Sequence, residues 1–247
     1  MFGVPLGIRN PQDSVGTNQG VLMKKITAIL IAACLLGSGA FAFDMGAGGI
    51  VDYSYAMSFM NIEVNEKNGT KTMNGFNAIT AKAFFDVQYA IVTLGVNASV
   101  GKIKSKTELK VLGHTMPLDE EYNMQFTYFN LGMFGKYPFS LGSVKLYPIA
   151  GFDFDFIVAG ETDGKKIALD DTTKKNMNVY WVDFGLGADV PIALNGKLCI
   201  RPEGIFGIKM NRSDDDKAAK DNAQKIGAKY SDGAFKFNAG VGVIYKF

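Results

Sequence analysis

The chain has 247 residues with 26 basic and 24 acidic side chains, 47% apolar and 12% aromatic residues and 29 glycines, a balance that excludes both a disordered polymer and a broadly basic nucleic-acid binder. Its best apolar run, residues 26–36, is too short for a membrane-spanning helix, which needs ~20 residues. A closed barrel is therefore the only way the bulk of the chain could cross a bilayer.

Residues 1–22 carry neither apolar periodicity nor charge clustering and are read as an unstructured upstream extension of the frame, with Met23 as the biological start and a long polar leader as the alternative. Lys24 and Lys25, the apolar run, Gly37-Ser38-Gly39 and Ala40-Phe41-Ala42 then form a three-part export signal over residues 23–42. Cleavage falls after Ala42, with Ala40 and Ala42 as the small residues and Phe43 as the first residue of the mature domain, 43–247. A lipid-attachment reading of Ile31-Ala32-Ala33-Cys34 competes, but it leaves residues 35–42 as a hydrophobic remnant. Loss of Arg9, Asp13, Lys24 and Lys25 with the leader makes acids and bases equal in number, so no basic field remains to attract nucleic acid. Cys199 is then without a partner and is read as a small residue near a strand end.

Eight strand-like runs follow, at residues 45–57, 74–85, 89–102, 122–136, 144–159, 176–190, 197–211 and 234–247. Their connections alternate: long and polar at 58–73, 103–121, 160–175 and 212–233, short at 86–88, 137–143 and 191–196. Long loops on one side and tight turns on the other describe an all-β, antiparallel up-and-down barrel of eight strands, ten being the alternative, with both chain ends on the short-turn side.

Within the runs the period is two. Val92, Leu94 and Val96 oppose Thr93, Gly95 and Asn97; Phe152, Phe154 and Phe156 oppose Asp153 and Asp155; Val182, Phe184 and Leu186 oppose Asp183, Gly185 and Gly187; Ile200, Phe206 and Ile208 oppose Arg201, Gly207 and Lys209. In the last run Phe235, Phe237, Val241, Val243, Tyr245 and Phe247 oppose Lys236, Asn238, Gly240 and Gly242, with Ile244 as the exception. The fourth run breaks the rule: Phe126 and Tyr128 disagree with Phe129, Leu131 and Met133, through either a bulge or an aromatic-filled lumen. A soluble barrel would bury the apolar face, but aromatic residues at strand ends, Tyr53, Tyr55, Phe85, Tyr245 and Phe247, fit the interfacial girdles of a membrane barrel. The apolar face then meets lipid, and the lumen collects Asp52, Lys82, Asp153, Asp155, Asp183, Arg201, Glu203, Lys209 and Lys236, with Lys145, Asp189 and Lys246, as a network of paired charges.

The sequence offers little for catalysis or ligation. Its one histidine, His114, stands in a polar connection beside Asp119, Glu120 and Glu121 and is read as solvated rather than as a metal ligand or base. Asp214-Asp215-Asp216 lacks the spaced oxygens of a calcium loop and reads as a solvated charge run; residues 217–229 read as a short surface helix. No enzyme activity, cofactor or metal is expected.

On these features the chain resembles the small outer-membrane β-barrels of the OmpA transmembrane-domain, OmpX and opacity-protein kind, over residues 43–247. The most specific match is the terminal Val241-Gly242-Val243-Ile244-Tyr245-Lys246-Phe247. The resemblance implies that Val241, Val243, Tyr245 and Phe247 are read by the barrel assembly machinery, that the termini are periplasmic and the loops extracellular, and that the partners are outer-membrane lipid and an extracellular ligand of the loops. A monomer is expected, with an envelope-structural or adhesin-like, surface-contact role; a small porin-like pore and a barrel enzyme acting on lipid or peptide are the alternatives.

Overall fold

A computed structural model describes residues 44–247; the export segment, with Ala40, Ala42 and Phe43, lies outside the described residues. The strands are β1 (Met45–Asn65), β2 (Asn68–Val87), β3 (Ala90–Val111), β4 (His114–Tyr122), β5 (Met124–Lys136), β6 (Phe139–Leu141), β7 (Val144–Thr162), β8 (Lys165–Lys166), β9 (Val179–Ala193), β10 (Leu198–Lys209) and β11 (Lys229–Lys246). Two helices, α1 (Asp171–Met177) and α2 (Asp214–Lys225), precede β9 and β11.

Eight of these strands, β1, β2, β3, β5, β7, β9, β10 and β11, pair in turn and antiparallel into a closed ring. The seam is made by the terminal strand: β11 pairs with β1 from Gly46↔Lys246 to Glu63↔Lys229, and the amide of Phe247 donates to the carbonyl of Met45 at 3.0 Å. Both ends of the described chain therefore lie on the short-turn side.

Alternation sorts the wall into two faces. Val51, Leu94, Val96, Phe152, Phe184, Leu186, Phe237 and Val241 point outward and are exposed, while Asp52, Thr93, Asp153, Asp183, Arg201 and Lys236 point inward and are buried. Polar residues inside and bare apolar residues outside invert a soluble fold, and a hydrocarbon surrounding is what stabilises that inversion. Aromatic residues mark its two rims. On the short-turn side Tyr245 packs against Phe247 and Tyr89 against Tyr137; on the other, Phe206 stacks on Phe235 and Phe154 and Phe156 meet Tyr180. From Tyr245 to Phe235 is ten residues, ~34 Å along a strand. A tilt of ~40° reduces that to ~25 Å, the height of the apolar band of such barrels.

The first two long connections are not loops. β1 and β2 stay in register from Met45↔Val87 to Glu63↔Gly69 and, after a one-residue shift at Val64, close at Asn65↔Asn68, so residues 58–73 are a hairpin that continues the wall beyond the aromatic rim. Residues 103–121 form a second hairpin, with β3 and β4 paired from Ile103↔Tyr122 to Val111↔His114 and turned at Leu112–Gly113, whose φ values of 51° and 86° are both left-handed. Beyond the lipid, neither face has hydrocarbon to set an alternation, so such strands read as polar loop. Cross-strand pairs of opposite charge, Lys71↔Glu108, Lys106↔Asp119 and Lys104↔Glu121, stabilise them instead. A bulge at the rim, where the register passes from Asn77↔Val100 to Gly75↔Lys104 around Gly101 (φ +75°), re-aims this outer sheet relative to the barrel wall.

The other two connections carry the helices. The surface helix expected over 217–229 is α2: it begins earlier, where Ser213 and Asp216 form a capping box, and Lys229 already belongs to β11. Asp214, Asp215 and Asp216 are its first turn, where carboxylates meet the positive end of the helix dipole.

In β5 one parity holds throughout: Phe126, Tyr128, Asn130, Gly132 and Phe134 face inward and Phe129 and Met133 outward. The aromatic-filled lumen is thus the correct alternative, and the irregularity lies in the pairing with β7, where Thr127↔Ala159 is followed by Tyr128↔Ile157 and Val158 is extra.

Inward glycines leave room for the charges. A Cβ on Gly240 would stand 1.8 Å from Asp52 Oδ1, and one on Gly207 2.3 Å from Asp183 Oδ1. Gly240→Val is expected to destabilise the folded barrel by ~1–3 kcal/mol through overpacking, whereas Ala239→Val, one residue away on the lipid face, is expected to leave it unchanged; equilibrium unfolding in detergent compares them.

Candidate functional site: the charged lumen and the outer sheet

Buried charge in the lumen falls into two layers. Nearer the short turns, Arg201 on β10 is the hub. Its Nε donates to Asp189 Oδ1 at 2.7 Å and its Nη2 to Asp189 Oδ2 at 3.1 Å, a bidentate pair, and Nη2 also donates to Asp86. Lys136 lies 2.6 Å from Asp86, Lys246 lies 2.9 Å from Asp189, and Tyr147 Oη donates to Asp189 at 3.2 Å. The Arg201 guanidinium covers the Phe84 ring at 4.6 Å, and Phe134, Ile91, Ile149, Ile244, Ile50 and Cys199 pack around these rings. Ile244, the exception in the terminal strand, is here a lumen residue that belongs to the packed layer.

The second layer lies toward the far rim. Lys82 pairs with Asp52 at 2.6 Å, and Lys236 pairs with Asp153 and stands 3.4 Å from Asp183. Asn130 donates its amide to Asp153 at 2.7 Å and to Asp155 at 2.8 Å; Trp181 Nε1 donates to Asp155 at 2.9 Å, and Lys236 lies over the Trp181 ring.

Of the charges assigned to the lumen from sequence, Asp52, Lys82, Asp153, Asp155, Asp183 and Lys236 meet in this layer and Arg201 in the other. Glu203 is half-buried on the inner face of β10 and forms no ion pair among the described residues. Lys209 stands apart at the rim, where it reaches Asp216 of α2 at 3.4 Å, and Lys145 turns to Asp44 at the opposite end. Sequence reasoning left out Asp86, taken as a turn residue, and Lys136, at the end of its run. Extending the 74–85 run by one residue gives Asp86 the inward parity of Lys82, and Lys136, already in its run, shares the parity of Phe134. Trp181 and Phe84 share the parity of Asp183 and Lys82 and could have been found in the same way.

Val241, Val243, Tyr245 and Phe247, the residues of the terminal signal, are exposed on the lipid side of β11. His114 and the acidic run Asp119–Glu121 lie on β4, every residue of which is exposed, and Glu121 pairs with Lys102 at 3.3 Å. Cys199 is buried and donates its thiol to the carbonyl of Gly196 at 3.4 Å. Among the described residues no group of three or more His, Cys, Asp or Glu side chains is arranged to hold a metal ion.

Outside the membrane the two helical connections are fastened together. Lys175 reaches Asp214 at 2.8 Å, Asn176 Oδ1 accepts from the amide of Asp214 at 3.0 Å, and Asn211 Nδ2 donates to the carbonyl of Asn178 at 2.7 Å. Hydrogen bonds from Lys175 and then Lys217 hold the Asp214 carboxyl down at about 2. A carboxylate lowered in the folded state contributes above its unfolded value of ~4 and stops contributing as pH falls through its folded one. Amide-exchange protection of residues 175–178 and 213–216 is thus expected to be constant from pH 7 to ~4 and to fall as the pH approaches ~2.

Among solved structures the chain is similar to the outer-membrane protease OmpT of Escherichia coli (TM-score 0.44, 10% identity, 85% of this chain and 99% of that one), to the outer-membrane protein OprG of Pseudomonas aeruginosa (0.41, 12%, 83% and 96%) and to the Neisserial surface protein NspA (0.38, 11%, 82% and 99%). No protein-family model matches, and no curated protein matches. The assignment as a membrane barrel rests on the closed ring, its apolar outer wall and the charges inside, the architecture of bacterial outer-membrane proteins.

Arg201→Ala leaves two buried carboxylates short of their main partner and is expected to destabilise the barrel by ~3–5 kcal/mol. Lys209→Ala removes only a partly exposed contact and is expected to cost under ~1 kcal/mol; unfolding in urea with detergent measures both.

Proposed function

We propose that this is a non-enzymatic outer-membrane barrel, exported by a signal cleaved after Ala42, with periplasmic termini, whose outer sheet and helical connections make contacts outside the cell. One observation carries the reading. Above the aromatic rim the sheet formed by β1, β2, β3 and β4 bears exposed apolar side chains, Val64, Val111, Leu112, Met116 and Leu118, where no lipid covers them. Exposed apolar surface beyond the membrane belt marks a contact face. The free edge of that sheet, β4, has Pro117 in its middle and Asp119, Glu120 and Glu121 at its end. These are the residues that keep an edge from joining other strands unselectively, so the face rather than the edge is the contact surface.

A barrel of eight strands has an interior just wide enough for side chains, and both charged layers fill it with buried groups joined by ion pairs and hydrogen bonds. That arrangement supports a closed wall over a pore and offers no solvent-exposed acid and base to a substrate.

Deleting residues 104–120 is expected to leave the barrel folded and heat-modifiable, since they lie beyond the bulge at Gly101 and the wall below the rim, where Asn77↔Val100 begins the continuous β2–β3 pairing, does not include them, and to reduce attachment of intact cells to host surface or matrix proteins. Unchanged attachment to every surface tested would contradict the contact role. Planar-bilayer recordings are expected to show no reproducible conductance steps; steady unitary currents would support the pore instead.

A further inference from the structure

The layer around Lys236 carries more negative charge than its cations can offset. Asp153 and Asp183 share Lys236, Asp153 and Asp155 share Asn130, and Asp155 also meets Trp181, while the next cation, Lys82, is committed to Asp52 at 2.6 Å. Asp52, Asp153 and Asp183 are each at most 2% exposed, so water does not offset the excess. An unpaired ion in such a place costs several kcal/mol or more, and the ordinary escape is neutralisation.

Donor placement decides which group is neutral. Asp153 accepts from Asn130 and Lys236, and Asp155 accepts on one oxygen from Asn130 and on the other from Trp181, as ionised carboxylates do. Asp183 is fully buried and neither of its oxygens has a hydrogen-bond donor; its one cation, Lys236 at 3.4 Å, is engaged more closely by Asp153. The groups facing it from neighbouring elements are Lys236 on β11, Asp153 and Asp155 on β7, Asn130 on β5 and Trp181 beside it on β9. Glu203 on β10, Asp52 and Lys82 lie beyond, and none of them supplies a free positive charge. A metal ion fits less well than a proton, because the oxygens of Asp153 and Asp155 are occupied and one free carboxylate is a poor chelate.

We infer that the lumen is a proton-binding site, with the Asp183 carboxyl holding a proton in the folded barrel at neutral pH between the Lys236–Asp153 pair and the space above Gly207. With that carboxyl neutral, Lys236 is left to Asp153, and Asp155 is held by its two neutral donors, Asn130 and Trp181.

Infrared spectroscopy of the folded full-length barrel in detergent at pH 7 tests this. The expected result is a protonated-carboxyl C=O band that disappears in Asp183→Asn and persists in Asp155→Asn. Since Asp183→Asn exchanges one neutral group for another, its unfolding midpoint in urea is expected to match the unsubstituted barrel's, while that of Asp153→Asn is lowered. Absence of the band, its survival in Asp183→Asn, or a midpoint for Asp183→Asn as low as that for Asp153→Asn overturns the inference. So does a midpoint that rises with added sodium, potassium or calcium in a protein without the band, which would assign the site to a metal cation.

Discussion

The pairing of Arg201 with Asp86 and Asp189 is the interaction on which the rest of the structure depends. In a barrel whose outside is committed to hydrocarbon, the chain's polar residues must go inward, and inside a ring of eight strands they are far from water. A lumen charge must therefore meet an opposite charge or hydrogen-bond donors across the lumen, or be neutralised. Arg201 does this by a bidentate fork to one strand and a single contact to another, joining β10, β9 and β2 through side chains that are almost fully buried. Aromatic rings beneath its guanidinium, Phe84 and Tyr147, fill the remaining cross-section.

The inward glycines follow from the same constraint. Gly207 and Gly240 lie beside the carboxylates of Asp183 and Asp52 because any side chain there would occupy the volume that the charges need. The outward face faces no such demand. It is filled with Val, Leu, Ile and Phe, whose positions are set by lipid contact and whose exact shapes matter less, since lipid packs against any apolar surface.

What the sequence revealed tracks where two environments meet. Wherever a strand separates lipid from lumen, alternation is legible, and Asp153 against Phe152, Asp183 against Phe184 and Lys236 against Phe237 are assigned to their faces from spacing alone. The signal fails in two places for physical reasons. Above the rim both faces of the sheet meet water, so residues 58–73 and 103–121 lose their period and read as loops. Within the lumen some residues are apolar, and Phe126, Tyr128, Ile149 and Ile244 contradict a two-letter code although their backbones obey it. The charged layer was legible in its members but not in its division into two, because which cation meets which carboxylate depends on strand register and tilt. Asp86, Lys136 and the rim position of Lys209 turn on that register.

The proposed placement is that one closed wall of eight strands divides the outside of the cell, with the β3–β4 hairpin, from the periplasm, with the short turns. Labelling of intact cells with a membrane-impermeant maleimide tests it most directly, using Thr115→Cys near the hairpin tip and Asn195→Cys in the turn before β10; the native Cys199 is buried and adds little background. Thr115→Cys should be labelled on intact cells, and Asn195→Cys only after the outer membrane is opened. Labelling of Asn195→Cys on intact cells with Thr115→Cys protected, or equal labelling of both, would contradict it.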